Sequence, residues 1–277
     1  MNLVQHLKIG FIGAGNMTSI IIRRLLESSK FNPEHIWVSN RSPGKLIKLK
    51  EQWNIHVAQN NEEVVDNTQI IFLSIKPQDF TSAVEPIASL FQPDQIVASL
   101  LAGINFESLE KMLPNSRLVR VMPNTPSALG KGVVGYCLND DKDSGANTLI
   151  EELLSPLGYV VPMDEGDMFD ALIVSCASGT GFVLELMSYW QDWIEERGFP
   201  PEVAKKMTIE TFMGATMMAS AESKSTLEEL QQKVASKKGV TAAGLDSMRE
   251  LEVERTLRLS FEKAWMRNQE LSRITNS

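Results

Sequence analysis

Residues 8–22 read KIGFIGAGNMTSIII, an apolar β-rich run that breaks at a Gly-x-Gly turn and resumes with helical spacing. A strand, a glycine turn and a helix in immediate succession form the context that a dinucleotide-binding fingerprint requires. In that reading Gly13 permits the tight turn and Gly15 lets the backbone approach a pyrophosphate. The amides of Asn16 and Met17 then lie at the positive end of the helix. The third fingerprint position, usually Gly or Ala for close helix packing, is Thr18. The alternative is a tight turn that binds nothing.

The pattern extends well beyond the turn. The runs KIGFIGA, HIWVSN, IIFLSI, QIVASL, LVRVM, GVVGYCL and YVVPM alternate with helical stretches as far as Pro162. This predicts a mostly parallel sheet with helices on both faces, a Rossmann-like α/β domain over residues 1–164. After Asp164 the β-rich runs stop, and an all-α domain over 165–277 is expected, with helices from Asp167 to Arg197 and from Ala242 to Arg273. Breaks are expected at Gly198–Pro201 and Ser236–Gly239. A chain of 277 residues suits two such domains. The stretches Phe182–Trp193 and Met207–Met218 are apolar on more than one face, so they are buried either in a bundle core or, as favoured here, in a dimer interface.

The second apolar run ends in Ser39-Asn40-Arg41-Ser42, where an NAD enzyme places an acid for the ribose 2′-hydroxyl. Arg41, with hydroxyl and amide donors around it, suits a 2′-phosphate instead, so NADPH is favoured over NADH. The alternative is an ordinary exposed arginine. Ser74-Ile75-Lys76-Pro77 and Ala102-Gly103 follow later strands, at the carboxyl edge where open parallel sheets bind ligands, and are placed to line the nicotinamide half. A net charge of −8 with scattered basic residues argues against nucleic acid. No apolar run approaches the roughly 20 residues of a membrane span. The opening MNLVQHLKIGFIGAG lacks a basic leader and reads as a first strand, not a signal segment. Cys137 and Cys176 have no CxxC spacing, and with three scattered histidines no metal set is visible; reduced thiols and a cytoplasmic location are expected.

At Arg120-Val121-Met122-Pro123-Asn124-Thr125-Pro126 the chain resembles the pyrroline-5-carboxylate reductases. GFIGAGNM, SNRS, SIKPQD, LLAGI and RVMPNTP occur in family order, SGTGF resembles the family's Ser-Gly-Ser-Gly stretch, and LEELQQKVASKKGVTAAGLDSM resembles its signature. The resemblance implies reduction of 1-pyrroline-5-carboxylate to L-proline by NAD(P)H, in a homodimer or a ring of dimers. It implies cofactor contacts from Asn61, Lys76, Pro77 and the Pro123-Asn124 segment. It also implies a substrate site at Ser236, Gly239, Val240 and Thr241, with Glu222 as an acidic neighbour and the Thr241 hydroxyl at the imine nitrogen as the catalytic group. Such an imine is readily protonated, so positioning carries most of the catalysis and the dearth of histidines is no objection. The sequence departs from the family in its signature loop, where the usual Ser-Pro-Gly-Gly-Thr-Thr reads SKKGVT at 236–241, and in Phe182-Val183 after the glycines. Those departures leave two alternatives open: a paralogue reducing another cyclic imine, and a non-catalytic NADP-binding protein.

Overall fold

The computed structural model describes residues 6–140 and 144–276; Met1–Gln5, part of the expected first-strand segment, lie outside the described residues. The chain opens with β1 (Ile9–Ile12), α1 (Asn16–Glu27), β2 (Ile36–Ser39), α2 (Pro43–Trp53), β3 (His56–Val57), α3 (Asn61–Asn67) and β4 (Ile70–Leu73). It continues with α4 (Phe80–Val84), β5 (Ile96–Ser99), α5 (Phe106–Met112), β6 (Arg117–Met122), β7 (Gly132–Leu138), α6 (Ser144–Leu154) and β8 (Gly158–Pro162). The rest is helical: α7 (Asp167–Leu172), α8 (Gly179–Glu195), α9 (Pro201–Ala221), α10 (Leu227–Val234), α11 (Val240–Glu250) and α12 (Val253–Asn276).

The strands form one eight-stranded sheet in the order β3-β2-β1-β4-β5-β6-β7-β8, with only the β6–β7 pairing antiparallel. Their side chains alternate between two apolar layers. Ile9, Phe11, Ile70 and Phe72 face the layer that contains Ile21 and Leu25 of α1; Ile12, Ile71, Leu73 and Val97 face Val64, Val65 and Val84. Because both faces of the central strands are covered, those strands carry near-continuous apolar runs, whereas the edge strand β8 leaves Tyr159 exposed. Phe11 and Phe72 stack with centroids 4.9 Å apart, tying β1 to β4. β1 pairs in parallel with β2 on one side and β4 on the other, so strand order reverses there. Ile12 stands level with Ser39 and with Leu73, which brings Gly13, Asn40 and Ser74 to the same carboxyl edge.

By packing, the chain divides into two compact units, one running to Ser178 and resuming at Ala264, the other Gly179–Lys263. The secondary structure therefore changes character near residue 164, and the packing changes at 178. The helix expected over Asp167–Arg197 widens into a π turn at Ile173–Ser178 between α7 and α8. The helix expected from Ala242 is divided at Glu252, whose φ of 51° is left-handed and ends α11. β3 has no counterpart in the sequence reading, because two residues with an exposed His56 carry no apolar run.

In the second unit α8 and α9 pack together, with Trp190 and Phe212 edge to face at 5.5 Å. Leu184, Trp193, Met213 and Met217 remain exposed on these helices. The apolar stretches read from the sequence are therefore not consumed by a core within this unit. Contrary to the sequence expectation, the helical run Asp167–Glu195 is long and apolar enough to cross a membrane by length and composition, with a mean hydropathy of 1.5 over an 18-residue window. The apolar residues at 172–174 and 182–184 carry that mean, and the Ser, Gly and Thr residues between them keep the large apolar side chains from forming one long run.

Candidate functional site

The glycine turn is held from three sides. Gly13 N–H donates to Ser39 O and Ser74 N–H to Ile12 O, both at 2.9 Å, while Ala14 N–H donates to Asn40 Oδ1 at 3.1 Å. Thr18 Oγ1 lies 2.8 Å from Gly13 O and 2.7 Å from Ser74 Oγ. A hydroxyl has one proton, so when Thr18 gives it to the carbonyl the Ser74 hydroxyl donates in turn. This explains a threonine where Gly or Ala is usual: it is fully buried and its hydroxyl clamps the turn to β4. Gly13 has φ of 107°, and a Cβ there would overlap Ser74 O, so its glycine is required by the protein itself. A Cβ on Gly15 would meet only Ser74 O at 3.7 Å, an ordinary contact. Packing does not demand glycine at 15; its bare backbone opens the cleft where α1 begins. Gly15 offers α1 no side-chain cap and the first turn holds no acid, which leaves the leading amides to an anionic ligand.

The turn borders a cleft of 290 Å³ at the point where strand order reverses. Of the residues expected at the cofactor, Gly13, Gly15, Asn40, Arg41, Asn61, Ser74, Ile75 and Lys76 line it together. Ser39 lies buried beneath, its hydroxyl donating to Asn61 Oδ1 at 2.7 Å, while Asn61 Nδ2 donates to Ala83 O at 3.2 Å. Asn40 Nδ2 donates to Ser42 O and Ser42 Oγ at 2.9 and 3.0 Å, which folds the corner after β2 and leaves Arg41 standing clear of it. Lys45, on the first turns of α2, adds a second cation beside Arg41, and Asp79 adds a carboxylate 3.8 Å from Arg41 Nη1. Sequence reasoning missed both. Lys45 follows Ser42 by one helical turn and was within reach of the motif, but the nearness of Asp79 to Arg41 depends on the fold.

The remaining expected contacts stand elsewhere. Asn16 lines an adjoining groove with Arg23, Lys45 and Lys48, and Met17 packs down against the core. Pro77 starts the short turn between Lys76 and α4. Ala102, Gly103, Pro123 and Asn124 do not line the cleft. Asn124 is buried with its amide committed inside the protein: Nδ2 donates to Cys176 O at 3.1 Å, and Oδ1 accepts from Val133 N–H at 3.0 Å.

In the second unit, the Thr226–Glu229 capping box starts α10. The segment 236–239 then turns tightly into α11, with Gly239 N–H donating to Ser236 O at 2.9 Å. Lys238 has φ of 59° at a position where the family's usual loop carries glycine, and a Cβ on Gly239 would overlap Ser236 Oγ. Val240 and Thr241 are exposed in the first turn of α11, which carries no acid and no side-chain cap. Glu222, just after α9, pairs with Lys233, and that ammonium holds its carboxyl below the ordinary range. Its charge is thus engaged within the unit at some distance along the chain from the loop. Among the described residues, no group of three or more His, Cys, Asp or Glu side chains is arranged to hold a metal.

Residues 166–271 match the family model for pyrroline-5-carboxylate reductase dimerisation, and residues 8–103 match the model for coenzyme F420-dependent NADP oxidoreductases. The chain is 31% identical to pyrroline-5-carboxylate reductase of Pseudomonas aeruginosa, over 96% of this chain and 97% of the relative. It is 30% identical to pyrroline-5-carboxylate reductase 2 of Bacillus subtilis, over 95% of each chain. The solved structure of a pyrroline-5-carboxylate reductase from Coxiella burnetii superimposes with a TM-score of 0.89 at 29% identity, covering 96% of this chain and 98% of that one.

Proposed function

The chain belongs to the pyrroline-5-carboxylate reductase family, and from that premise we infer that it reduces 1-pyrroline-5-carboxylate to L-proline. The nicotinamide cofactor supplies the hydride, which adds to the imine carbon while the nitrogen retains its proton as the amine of proline. The full-length likeness to pyrroline-5-carboxylate reductases carries this reading, and the acid-free, uncapped start of α1 at the strand-order reversal supports its cofactor half.

The residues fit the cofactor in parts. Gly13, Gly15 and the amides of Asn16 and Met17 take the pyrophosphate. Arg41 and Lys45 take the 2′-phosphate, which makes NADPH the preferred donor over NADH. Asn61 contacts the cofactor beside them, and the Ser74-Ile75-Lys76-Pro77, Ala102-Gly103 and Pro123-Asn124 segments serve its nicotinamide half. Asn124 acts there by fixing the backbone, since its own amide is engaged by Cys176 and Val133. On the substrate, the amides of Gly239, Val240 and Thr241 receive the carboxylate at the start of α11, with Lys237 and Lys238 adding positive charge and Ser236 closing the turn. Thr241 Oγ1 holds the imine nitrogen. A protonated imine accepts hydride without a strong acid from the protein, so orientation is the main task of these groups. Glu222 acts through its pair with Lys233, beside α10.

The exposed apolar faces of α8 and α9 support a homodimer, or a ring of dimers, that buries them; this also accounts for the apolar Asp167–Glu195 run without a membrane. A cytoplasmic location, with no nucleic-acid partner, accompanies the reading.

The test is NADPH oxidation by the purified protein with 1-pyrroline-5-carboxylate and with its six-membered-ring homologue, following proline directly. Turnover of the five-membered ring is expected. The second reading, a paralogous imine reductase, draws on Lys238, a side chain in the left-handed region of the substrate loop; turnover of the larger ring alone would establish it. Tight NADPH binding with turnover of neither would leave a non-catalytic binding protein.

A further inference from the structure

Asp79 is the sole carboxylate among the described residues that line the cofactor cleft, and it faces Arg41 with Oδ1 3.8 Å from Nη1. An acid at the start of a helix usually serves as its cap. Asp79 does not: it makes no side-chain cap bond to α4. Its turn is built by the backbone, with Asp79 N–H donating to Lys76 O at 2.9 Å and Ser82 Oγ donating to Asp79 O at 3.1 Å. The carboxylate is therefore spare from local structure and bears on the cleft.

We propose that Asp79 is a specificity-determining residue that restrains the preference for NADPH, by opposing the 2′-phosphate at Arg41 and sharing the guanidinium with it. The proposal rests on the assignment of Arg41 and Lys45 to the 2′-phosphate. A phosphate monoester carries close to two negative charges at neutral pH. Brought to Arg41, it comes within a Debye length of Asp79, so the two anions repel and compete for one cation. NADH has no such phosphate and is indifferent to both effects. β2 ends without the acid of an NAD enzyme, and Asp79 returns a negative charge to that neighbourhood from a different element. The arginine side chain is 89% exposed and the aspartate 32%, so solvent screens the interaction and its removal changes binding by about two- to tenfold.

The experiment measures NADPH and NADH dissociation constants by nicotinamide fluorescence on the full-length protein, for the parent, Asp79→Asn and Arg41→Ala. Each is taken at about 0.05 and 0.5 M salt, where the Debye length falls several-fold short of its low-salt value. Asp79→Asn is expected to tighten NADPH roughly two- to tenfold with NADH unchanged, the gain shrinking at high salt. The unchanged NADH constant doubles as the check that the cleft is folded. An unaltered NADPH constant overturns the proposal, and weaker NADPH binding does so by showing that Asp79 positions Arg41 for the phosphate. Arg41→Ala separates the premise: it is expected to weaken NADPH alone, and equal losses for both cofactors would remove Arg41 from the 2′-phosphate site and take the proposal with it.

Discussion

Replacing Glu165 by alanine is expected to cost more stability than replacing its partner, Arg120. Arg120 on β6 is 6% exposed in its side chain, donates from Nη1 to Glu165 Oε1 at 2.7 Å, and lies 4.3 Å above the Phe169 ring. Glu165 is 30% exposed and also accepts from Phe106 N–H, at the start of α5, at 2.8 Å. Glu165→Ala strands a buried guanidinium, for which about 3–5 kcal/mol is typical when no water reaches the site. The partial exposure of the carboxylate position lets water approach and lowers this to about 2–3 kcal/mol, while the orphaned Phe106 N–H adds about 1 kcal/mol. The sum is about 3–4 kcal/mol, against the 5–15 kcal/mol that holds a typical domain together. Arg120→Met leaves a carboxylate that hydrates in place and still accepts from Phe106, so it should cost only about 1–2 kcal/mol. The double variant, with no buried cation left, should fall well short of the sum of the two single losses. Urea unfolding of the full chain, at one fixed protomer concentration because oligomer formation would make stability depend on it, reads all three. Equal costs for the two single changes, or additive costs in the double, would refute the reasoning.

Gly13→Ala should abolish cofactor binding and lower the melting temperature, because a Cβ overlaps Ser74 O at a φ of 107°; a variant that binds NADPH like the parent would contradict the clamp. Lys238→Gly should stabilise the protein by about 1 kcal/mol in denaturant unfolding, by relieving a left-handed side chain at φ of 59°; no gain would mean the lysine makes up its strain by contacts. Burial pushes the Cys137 thiol up to about 12. It should therefore resist alkylation at pH 8 in the folded protein and react only on unfolding, as mapped by mass spectrometry; rapid labelling of Cys137 in the native state would oppose this. The Glu222 carboxyl, held low by Lys233, should titrate below the ordinary carboxylate range in a side-chain NMR experiment. Because its folded value is depressed, whatever the pair contributes is present at neutral pH and lost as pH falls through that lowered value. An unshifted titration would show that the pair does not form in solution.

The sheet was legible because burial on both faces forces continuous apolar runs, and each of the seven runs read from the sequence became a strand. Direction was not: β7 runs antiparallel to β6, and nothing in GVVGYCL distinguishes that from a parallel strand. The glycine turn was legible because its glycines, strand and helix are contiguous. Contacts between distant segments were not, as with Asp79 against Arg41 and Glu165 against Arg120. Asn124 shows what motif reading leaves out. Its place in MPNTP suggested a ligand contact, yet both ends of its amide hold the protein's own backbone, a use that only the fold reveals. Thr18 is similar: a departure from the fingerprint by residue type proves to be a bond that the turn needs.

The bonds around that turn have a thermodynamic consequence. Gly13, Ala14, Thr18 and Ser74 are tied to neighbouring strands by contacts made entirely within the protein. A loop that orders itself around a phosphate spends conformational entropy at the moment of binding, at about 1–2 kcal/mol for each backbone residue fixed. Here that cost is met during folding, once, so that under the proposed assignment the pyrophosphate would encounter a preorganised surface. Association at this end of the cofactor should accordingly be fast and carry little penalty from chain ordering, leaving discrimination between ligands to the charged side chains at the opposite wall.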